Sequence, residues 1–239
     1  MVCATRRPDG LRCEPASDLR VLQPQVSREP RPSRTLIALA AHCSLPTTVT
    51  SVGFTQAELQ SFRNVSVPDL VGPGLKLLFV GINPGLWTAA TQTHFAHPGN
   101  RFYPALRLAG IVDRDLGKGE PMTDEGRAYL VDRGIGITNL VNRATARADE
   151  LSPAELRAGR TRLEAFVAQH QPLVVAVAGL TAYRVAFADP KARGGEQADL
   201  LSGARVWVVP NPSGLNAHET ITSLALAYAE PAKIAGVIN

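Results

Sequence analysis

The 239-residue chain contains no run of eighteen apolar residues, so nothing in it reads as a membrane span. Cysteine is scarce: Cys3, Cys13 and Cys43 are the only three, and all lie near the N-terminus. An odd count without short paired spacing argues against a disulfide framework. It also supplies no four-thiolate zinc site and no iron–sulfur cluster. Aromatic residues make up 5% of the chain, few enough that each is read individually. A strong charge of either sign is missing from the body of the protein as well. The net charge is +4, but residues 1–53 hold seven Arg and no Lys against four acids, which leaves 18 basic and 17 acidic residues for the remainder. A nucleic-acid partner therefore has to be argued from motifs rather than from charge. Thr35 to Leu45 is mildly apolar, yet it follows a Pro/Arg-rich start and lies too far in for a secretory signal. Asn64-Val65-Ser66 fits the glycosylation pattern by chance in a chain read as cytosolic, or nucleoid-associated in a bacterium.

What the chain does have is a pair of unusual strand ends. Leu77 to Val80 is a short apolar run of the kind buried on both faces of a parallel sheet. It runs into Gly81-Ile82-Asn83-Pro84-Gly85, a turn bracketed by glycines, where backbone can approach a ligand closely. Pro84 biases Asn83 toward an extended conformation. The result is one neutral amide presented just past a central strand, where ligands bind in open α/β sheets. Val206 to Asn216 repeats the grammar: apolar run, Asn211-Pro212, Ser213, then Gly214.

Residues 1–53 show scattered Pro, Arg and Ser with no sustained period, and read as a disordered extension; residues 54–239 form one domain. Within the domain, helices are expected over 55–64, 101–109, 123–132, 153–170, 181–188 and 219–230. Thr123 serves as a cap, and Ser152-Pro153-Ala154-Glu155 is a capping box with proline at the first helical position. Strands are expected over 75–80, 134–140, 173–178 and 205–209, with polar loops over 88–98, 113–122 and 191–203. This order predicts an α/β fold, a three-layer α/β/α arrangement with a mainly parallel four-stranded sheet. All strand C-termini then fall on one edge, and both Asn-Pro turns and the Thr138-Asn139 turn fall there too.

The polar residues at that edge carry no charge: Asn83, Asn139, Asn211, Ser213 and Asn216. No Asp or Glu directly follows any of the four strands, which argues against metal catalysis and against a strong general base. Such an edge can position a water and donate backbone hydrogen bonds to an anionic leaving group. Cleavage of an N-glycosidic bond needs no more, since it passes through an oxocarbenium-like state as the base departs with the negative charge.

The blocks GINPG at 81–85, HFAHPGNRFY at 94–103 and NPSGLN at 211–216 resemble the mismatch-specific uracil/thymine-DNA glycosylases, a branch of the uracil-DNA glycosylase superfamily. The matching order spans about Pro73 to Ala229. The resemblance implies a monofunctional enzyme that flips uracil, or a mismatched thymine or damaged pyrimidine, out of double-stranded DNA and leaves an abasic site. It implies that Asn83 positions the attacking water, that backbone around Ile82 and Gly85 holds the flipped base, and that Phe95 stacks on it. Leu215 is the implied wedge that fills the gap in the duplex, with Ser213 and Gly214 shaping its loop against phosphate. A monomer without metal or organic cofactor is expected. No lysine sits near the predicted edge to form a Schiff base, so lyase activity is not expected.

Plainer readings stand beside these. Asn83 caps its turn, Phe95 belongs to the core, or Leu215 is a buried helix-start residue. His94 and His97 read as hydrogen-bonded loop residues rather than acids or bases. Arg101 reads equally as a phosphate contact or as the partner of a local carboxylate. Two positions depart from the branch. Relatives carry an Arg shortly after the wedge, where this chain has Asn216, Ala217 and His218, and one relative carries Lys where this chain has Asn139, whose amide could read a base edge. The competing classes are a non-catalytic nucleotide or damaged-DNA binding module, and a serine hydrolase built on Ser213. The second lacks the Gly-x-Ser-x-Gly turn.

Overall fold

Continuous apolar runs bounded by Gly, Pro and capping residues set the element boundaries. The structure, a computed structural model, describes residues 53–117 and 119–239. In chain order the elements are α1 (Gln56–Ser61), β1 (Leu77–Gly81), α2 (Leu86–Thr91), α3 (Phe102–Leu108), α4 (Asp124–Asp132), β2 (Ile135–Asn139), α5 (Pro153–His170), β3 (Val174–Ala178), α6 (Leu180–Ala186), β4 (Gly195–Glu196), β5 (Arg205–Val209) and α7 (Ile221–Ile234). The expected extension over residues 1–53 lies outside the described residues except for Gly53. Capping boxes start α1 at Thr55, α5 at Ser152 and α7 at Thr220, and Thr123 caps α4 through the Gly126 N–H. Each cap satisfies backbone donors that a helix start leaves open.

The sheet order is β2-β1-β3-β5-β4. The first four strands in that order are parallel, as expected. The sheet has five strands rather than the four expected, because β4 lies inside the stretch read as a polar loop and pairs antiparallel with the edge of β5. Two residues leave no alternation to read, and Gly195 sits at φ +103°, a turn conformation. Such a short strand covers the edge of β5 without offering a new one. The loop expected over 88–98 likewise begins inside α2, a six-residue helix whose N-cap, Gly85, makes no side-chain hydrogen bond and so gives no start signal. α7 runs past the expected end, carrying Pro231 within it; Pro231 and Ala232 are buried, and packing outweighs the lost backbone bond.

Period-two alternation divides the strand side chains between two cores. Leu77, Phe79, Ile137, Ala176 and Trp207 face a layer formed by α3, α4 and α7. Leu78, Val80, Val175, Val177 and Val208 face α5 and α6 on the other side. This is the expected three-layer α/β/α fold. On the second face α5 approaches the end of β2 at backbone contact: a Cβ on Gly159 would lie 2.4 Å from the Leu140 carbonyl oxygen. One turn further along α5, Arg162 reaches the Asn139 carbonyl and donates to Thr138 Oγ1 at 3.1 Å. The helix therefore fixes the last residues of β2 only because position 159 has no side chain.

Replacing glycine by alanine inside a helix ordinarily stabilises by about 1 kcal/mol. Here the added methyl has no room, and Gly159→Ala is expected to destabilise by about 1–3 kcal/mol, the usual cost of overpacking. Chemical denaturation of the two proteins gives the sign directly.

Candidate active site

The parallel register brings the C-terminal ends of β1 and β2 side by side, with Gly81 opposite Asn139. The chain proceeds from β1 to β2 on one side and returns to β3 on the other, so the strand order reverses about β1. In open α/β sheets such a reversal marks the crevice at the C-terminal edge where ligands bind. Half-buried Ile82 leaves β1 there and lies against Gly179, where an added Cβ would sit 3.1 Å from Ile82 Cδ1. The Ile82 carbonyl accepts from Val141 N–H at 3.0 Å, so this turn is tied to the end of β2.

Asn83 is held by its own amide nitrogen. Nδ2 donates toward Thr145 Oγ1 at 2.7 Å, the Arg143 carbonyl at 2.9 Å and the Pro84 carbonyl at 3.1 Å. Thr145 Oγ1 itself donates to the Arg147 carbonyl at 2.7 Å, so it can only accept from Asn83. Three acceptors around one end of the side chain fix which end is nitrogen. The other end, Oδ1, receives no hydrogen bond from the described residues, and the residue is partly exposed. The plain reading of Asn83 as a turn residue therefore applies to its nitrogen alone. Gly85 is exposed, and a Cβ there would meet nothing within 4 Å.

Asn139 is oriented by a relay. His94, 4% exposed, has Nε2 2.9 Å from the Pro68 carbonyl, which can only accept; Nε2 must carry the proton. In the neutral ring Nδ1 is then an acceptor, and Asn139 Nδ2 lies 3.3 Å from it. Burial pushes the His94 pKa below its ordinary value, which favours this neutral form; the Pro68 carbonyl and Asp69 oppose the shift and Arg127 adds to it. Asn139 thus turns its oxygen toward Gly81, where an added Cβ would lie 2.5 Å from Oδ1. The same Cβ would lie 3.3 Å from Phe95 Cζ, so Gly81, Asn139 and Phe95 crowd around one point. The Phe95 ring stacks on Phe102 at 4.1 Å and 26°, which leaves a single ring face for any other partner. Phe95 has φ +56°, a left-handed conformation that costs a bulky side chain on the order of 1 kcal/mol or more. The reading of His94 as a hydrogen-bonded loop residue holds.

The third block folds back onto the second. A Cβ on Gly214 would meet the Gly99 carbonyl oxygen at 2.6 Å, and Arg101 N–H donates to the Pro212 carbonyl at 3.0 Å. Asn211 Oδ1 accepts from Ser213 N–H, and Ser213 Oγ from Leu215 N–H. No histidine or carboxylate hydrogen-bonds Ser213 among the described residues, so the serine-hydrolase reading has no supporting geometry. Leu215 is 86% exposed at the tip of the turn, which rules out a buried helix-start role. Arg101 pairs with no carboxylate among the described residues: its guanidinium donates to the main-chain carbonyls of Ser213, Asn216 and Glu219.

The residues the motifs did not reveal are Arg143, Thr145 and Arg162, which hold the two asparagines from behind. Their only signal is tertiary: Gly85 and Thr145 form an isolated parallel bridge 60 residues apart in sequence. Among the described residues no cluster of His, Cys, Asp and Glu could hold a metal ion, and no helix is long and apolar enough to cross a membrane.

A mixed α/β fold with a polar but uncharged crevice at the strand ends defines the class. The family model for the Uracil DNA glycosylase superfamily matches residues 68–230, which takes in all three sequence blocks. The chain belongs to that superfamily. The solution NMR structure of a candidate uracil DNA glycosylase from Methanosarcina acetivorans superimposes with a TM-score of 0.50 at 14% identity, over 72% of this chain and 98% of that one. At that identity the likeness concerns the fold.

His94 gives the site a measurable mark. Its folded pKa lies below the 6.5 of a free ring, so the unfolded chain binds the proton more readily. The stability that comes from burying a neutral ring is complete above pH 6.5 and is lost as pH falls below it toward the folded pKa. Ring-resonance titration by NMR is expected to show the depressed value, and His94→Gln is expected to flatten the fall in melting temperature below pH 6.5. A His94 ring that titrates at its ordinary value contradicts the burial of a neutral ring.

Proposed function

We propose that the chain is a monofunctional DNA glycosylase that hydrolyses the bond between deoxyribose and uracil, with mismatched thymine as a further substrate of the mismatch-specific branch. The observation that carries this reading is the Asn83 amide, pinned through Nδ2 with Oδ1 left over, beside a crevice bordered by Phe95 and Asn139.

The reaction follows from what this crevice lacks. Once the nucleotide is flipped, the base sits against the open face of Phe95. Asn139 Oδ1 is an acceptor and matches the N3–H that uracil and thymine share; cytosine offers a lone pair at N3 and is repelled. Bond cleavage leaves an oxocarbenium-like sugar and a pyrimidine anion, which the backbone N–H groups at the Ile82–Gly85 turn stabilise. Water then adds at C1′. Its proton needs no strong base, because the cation it attacks is already formed; Asn83 Oδ1 accepts one water hydrogen and aims the lone pair. The water proton is released and the departing base takes up a proton, leaving free uracil and an abasic sugar.

The partner is DNA, met through the exposed Leu215 turn. Opposite-strand recognition is weak in this reading. The Asn216 side chain is engaged within its own loop, donating to the Asn211 carbonyl at 3.1 Å and accepting from His218 N–H at 3.3 Å. Ala217 has no polar group to offer. Uracil opposite guanine and uracil opposite adenine are therefore both substrates.

Base release is to be followed on G·U, A·U and G·T duplexes and on single-stranded uracil, with strand breakage scored only after alkali. Asn83→Ala is expected to lower the single-turnover rate on G·U by roughly 10²–10³-fold, the usual scale for losing one positioned catalytic group, while duplex binding persists. Binding without release by the wild type on every substrate overturns the proposal in favour of a binding module.

A further inference from the structure

We propose that Arg101 is a positioning residue that locks the turn carrying Leu215 in the conformation that enters the duplex; this rests on the glycosylase reading above. The half-buried guanidinium lies beneath the turn. Nη2 donates to the Ser213 carbonyl and, at 2.8 Å, to the Asn216 carbonyl, while Nη1 donates to the Glu219 carbonyl. With the Arg101 N–H on the Pro212 carbonyl at 3.0 Å, one residue of the second block holds three carbonyls of the third and that of Glu219 just beyond it. Two of them flank Leu215.

The chemistry of this contact is unusual for an arginine. Among the described residues no carboxylate pairs with it. The nearest acid in sequence to its contacts, Glu219, engages its carboxylate with Ser223 Oγ at 2.6 Å. Nε is buried with no partner at all. A desolvated cation without an acid is costly, so the site is not explained as an ion pair that stabilises the fold. What the guanidinium does accomplish is directional: its planar fork gathers carbonyl oxygens that an irregular turn would otherwise leave to water.

Two consequences bear on the wedge. The carbonyl dipoles flanking Leu215 are drawn toward the guanidinium. The turn also loses conformational freedom before it meets DNA, so less ordering entropy is lost when an 86%-exposed leucine enters the stack. Gly214 acts from the other side, because only a residue without Cβ lets the turn lie against the Gly99 carbonyl.

The test is a double-mutant cycle on a G·U duplex: wild type, Arg101→Met, Leu215→Ala and the double variant, with Arg101→Lys as the conservative change. Single-turnover base release is read together with the fluorescence of 2-aminopurine placed beside the uracil, which rises when stacking is broken. Each single variant is expected to lose about ten-fold, and the double variant to be no worse than Leu215→Ala alone within about two-fold. Arg101→Lys is expected to recover only some of the loss, since an ammonium cannot span three carbonyls. Additive losses, or an Arg101→Met protein that still gives the full fluorescence rise, overturn the proposal. If Arg101→Met fails to fold by circular dichroism, Gly214→Ala replaces it and must show the same non-additivity with Leu215→Ala. Should the wild type release no base, the fluorescence cycle alone decides: a rise that depends on Arg101 and Leu215 non-additively keeps the wedge and sinks only the glycosylase reading, whereas no rise in the wild type sinks both.

Discussion

The pairing of Gly81 with Asn139 across two parallel strands is the contact on which the crevice depends. A side chain at position 81 would occupy the space taken by Asn139 Oδ1 and the edge of the Phe95 ring. Its absence lets residues from 81, 95 and 139, far apart in the chain, converge at one point. The parallel sheet supplies the rest. Parallel pairing puts the C-termini of β1, β2, β3 and β5 on the same edge, so the turn after β1, the end of β2 and the turn after β5 share it without any local sequence signal that they should. The register is in turn held from below by α5, whose close approach at Gly159 and whose Arg162 fix the last residues of β2.

A common device recurs in the polar groups. Asn83 and Asn139 are each bound through the amide nitrogen and keep the oxygen. An amide fixed in this way is an acceptor of defined direction that carries no charge into the crevice. The alternative, a carboxylate, would raise the cost of burial and require tuning of its protonation. The histidine behind Asn139 acts in the same way at one remove. Its proton sits on Nε2 because the Pro68 carbonyl leaves no other choice, and that choice sets what Asn139 can offer. Hydrogen-bond inventory, rather than electrostatic strength, specifies this site.

Much of this architecture is legible in the chain. The four parallel strands appear as apolar runs because both of their faces are buried, and the helix starts at Thr123 and Ser152 appear because capping is local chemistry. β4 was not legible, since two residues paired only by an edge contact have no pattern of their own. α2 was not legible because no side chain caps it. The same division holds for the site. Asn83, Phe95 and Leu215 stand in blocks that a reader can find, whereas Arg143 and Thr145 contribute a main-chain carbonyl and a hydroxyl whose roles exist only after folding. Arg101 shows the limit most clearly. One sequence reading gave it a carboxylate partner, because charge is what a sequence displays; its partners within the fold are backbone carbonyls, which every residue has and no sequence displays.

The clamp on Asn83 also bears on why the position is an amide. A carboxylate there would take a proton from water more readily and would stabilise an oxocarbenium ion; at about 4 Å and an effective dielectric constant near 20 that attraction is worth about 4 kcal/mol. The surroundings forbid it. Thr145 Oγ1, with its own hydrogen committed to the Arg147 carbonyl, and the carbonyls of Pro84 and Arg143 all present lone pairs to the side-chain end that now carries two hydrogens. An ionised oxygen in that place would face three acceptors with nothing to donate, and a protonated one would no longer attract the cation. The fold thus commits the residue to a neutral side chain before any question of mechanism arises. On the glycosylase reading proposed above, a site so committed suits bases that depart readily without help from a nearby negative charge, such as a pyrimidine whose anion is delocalised over its ring and two carbonyl oxygens.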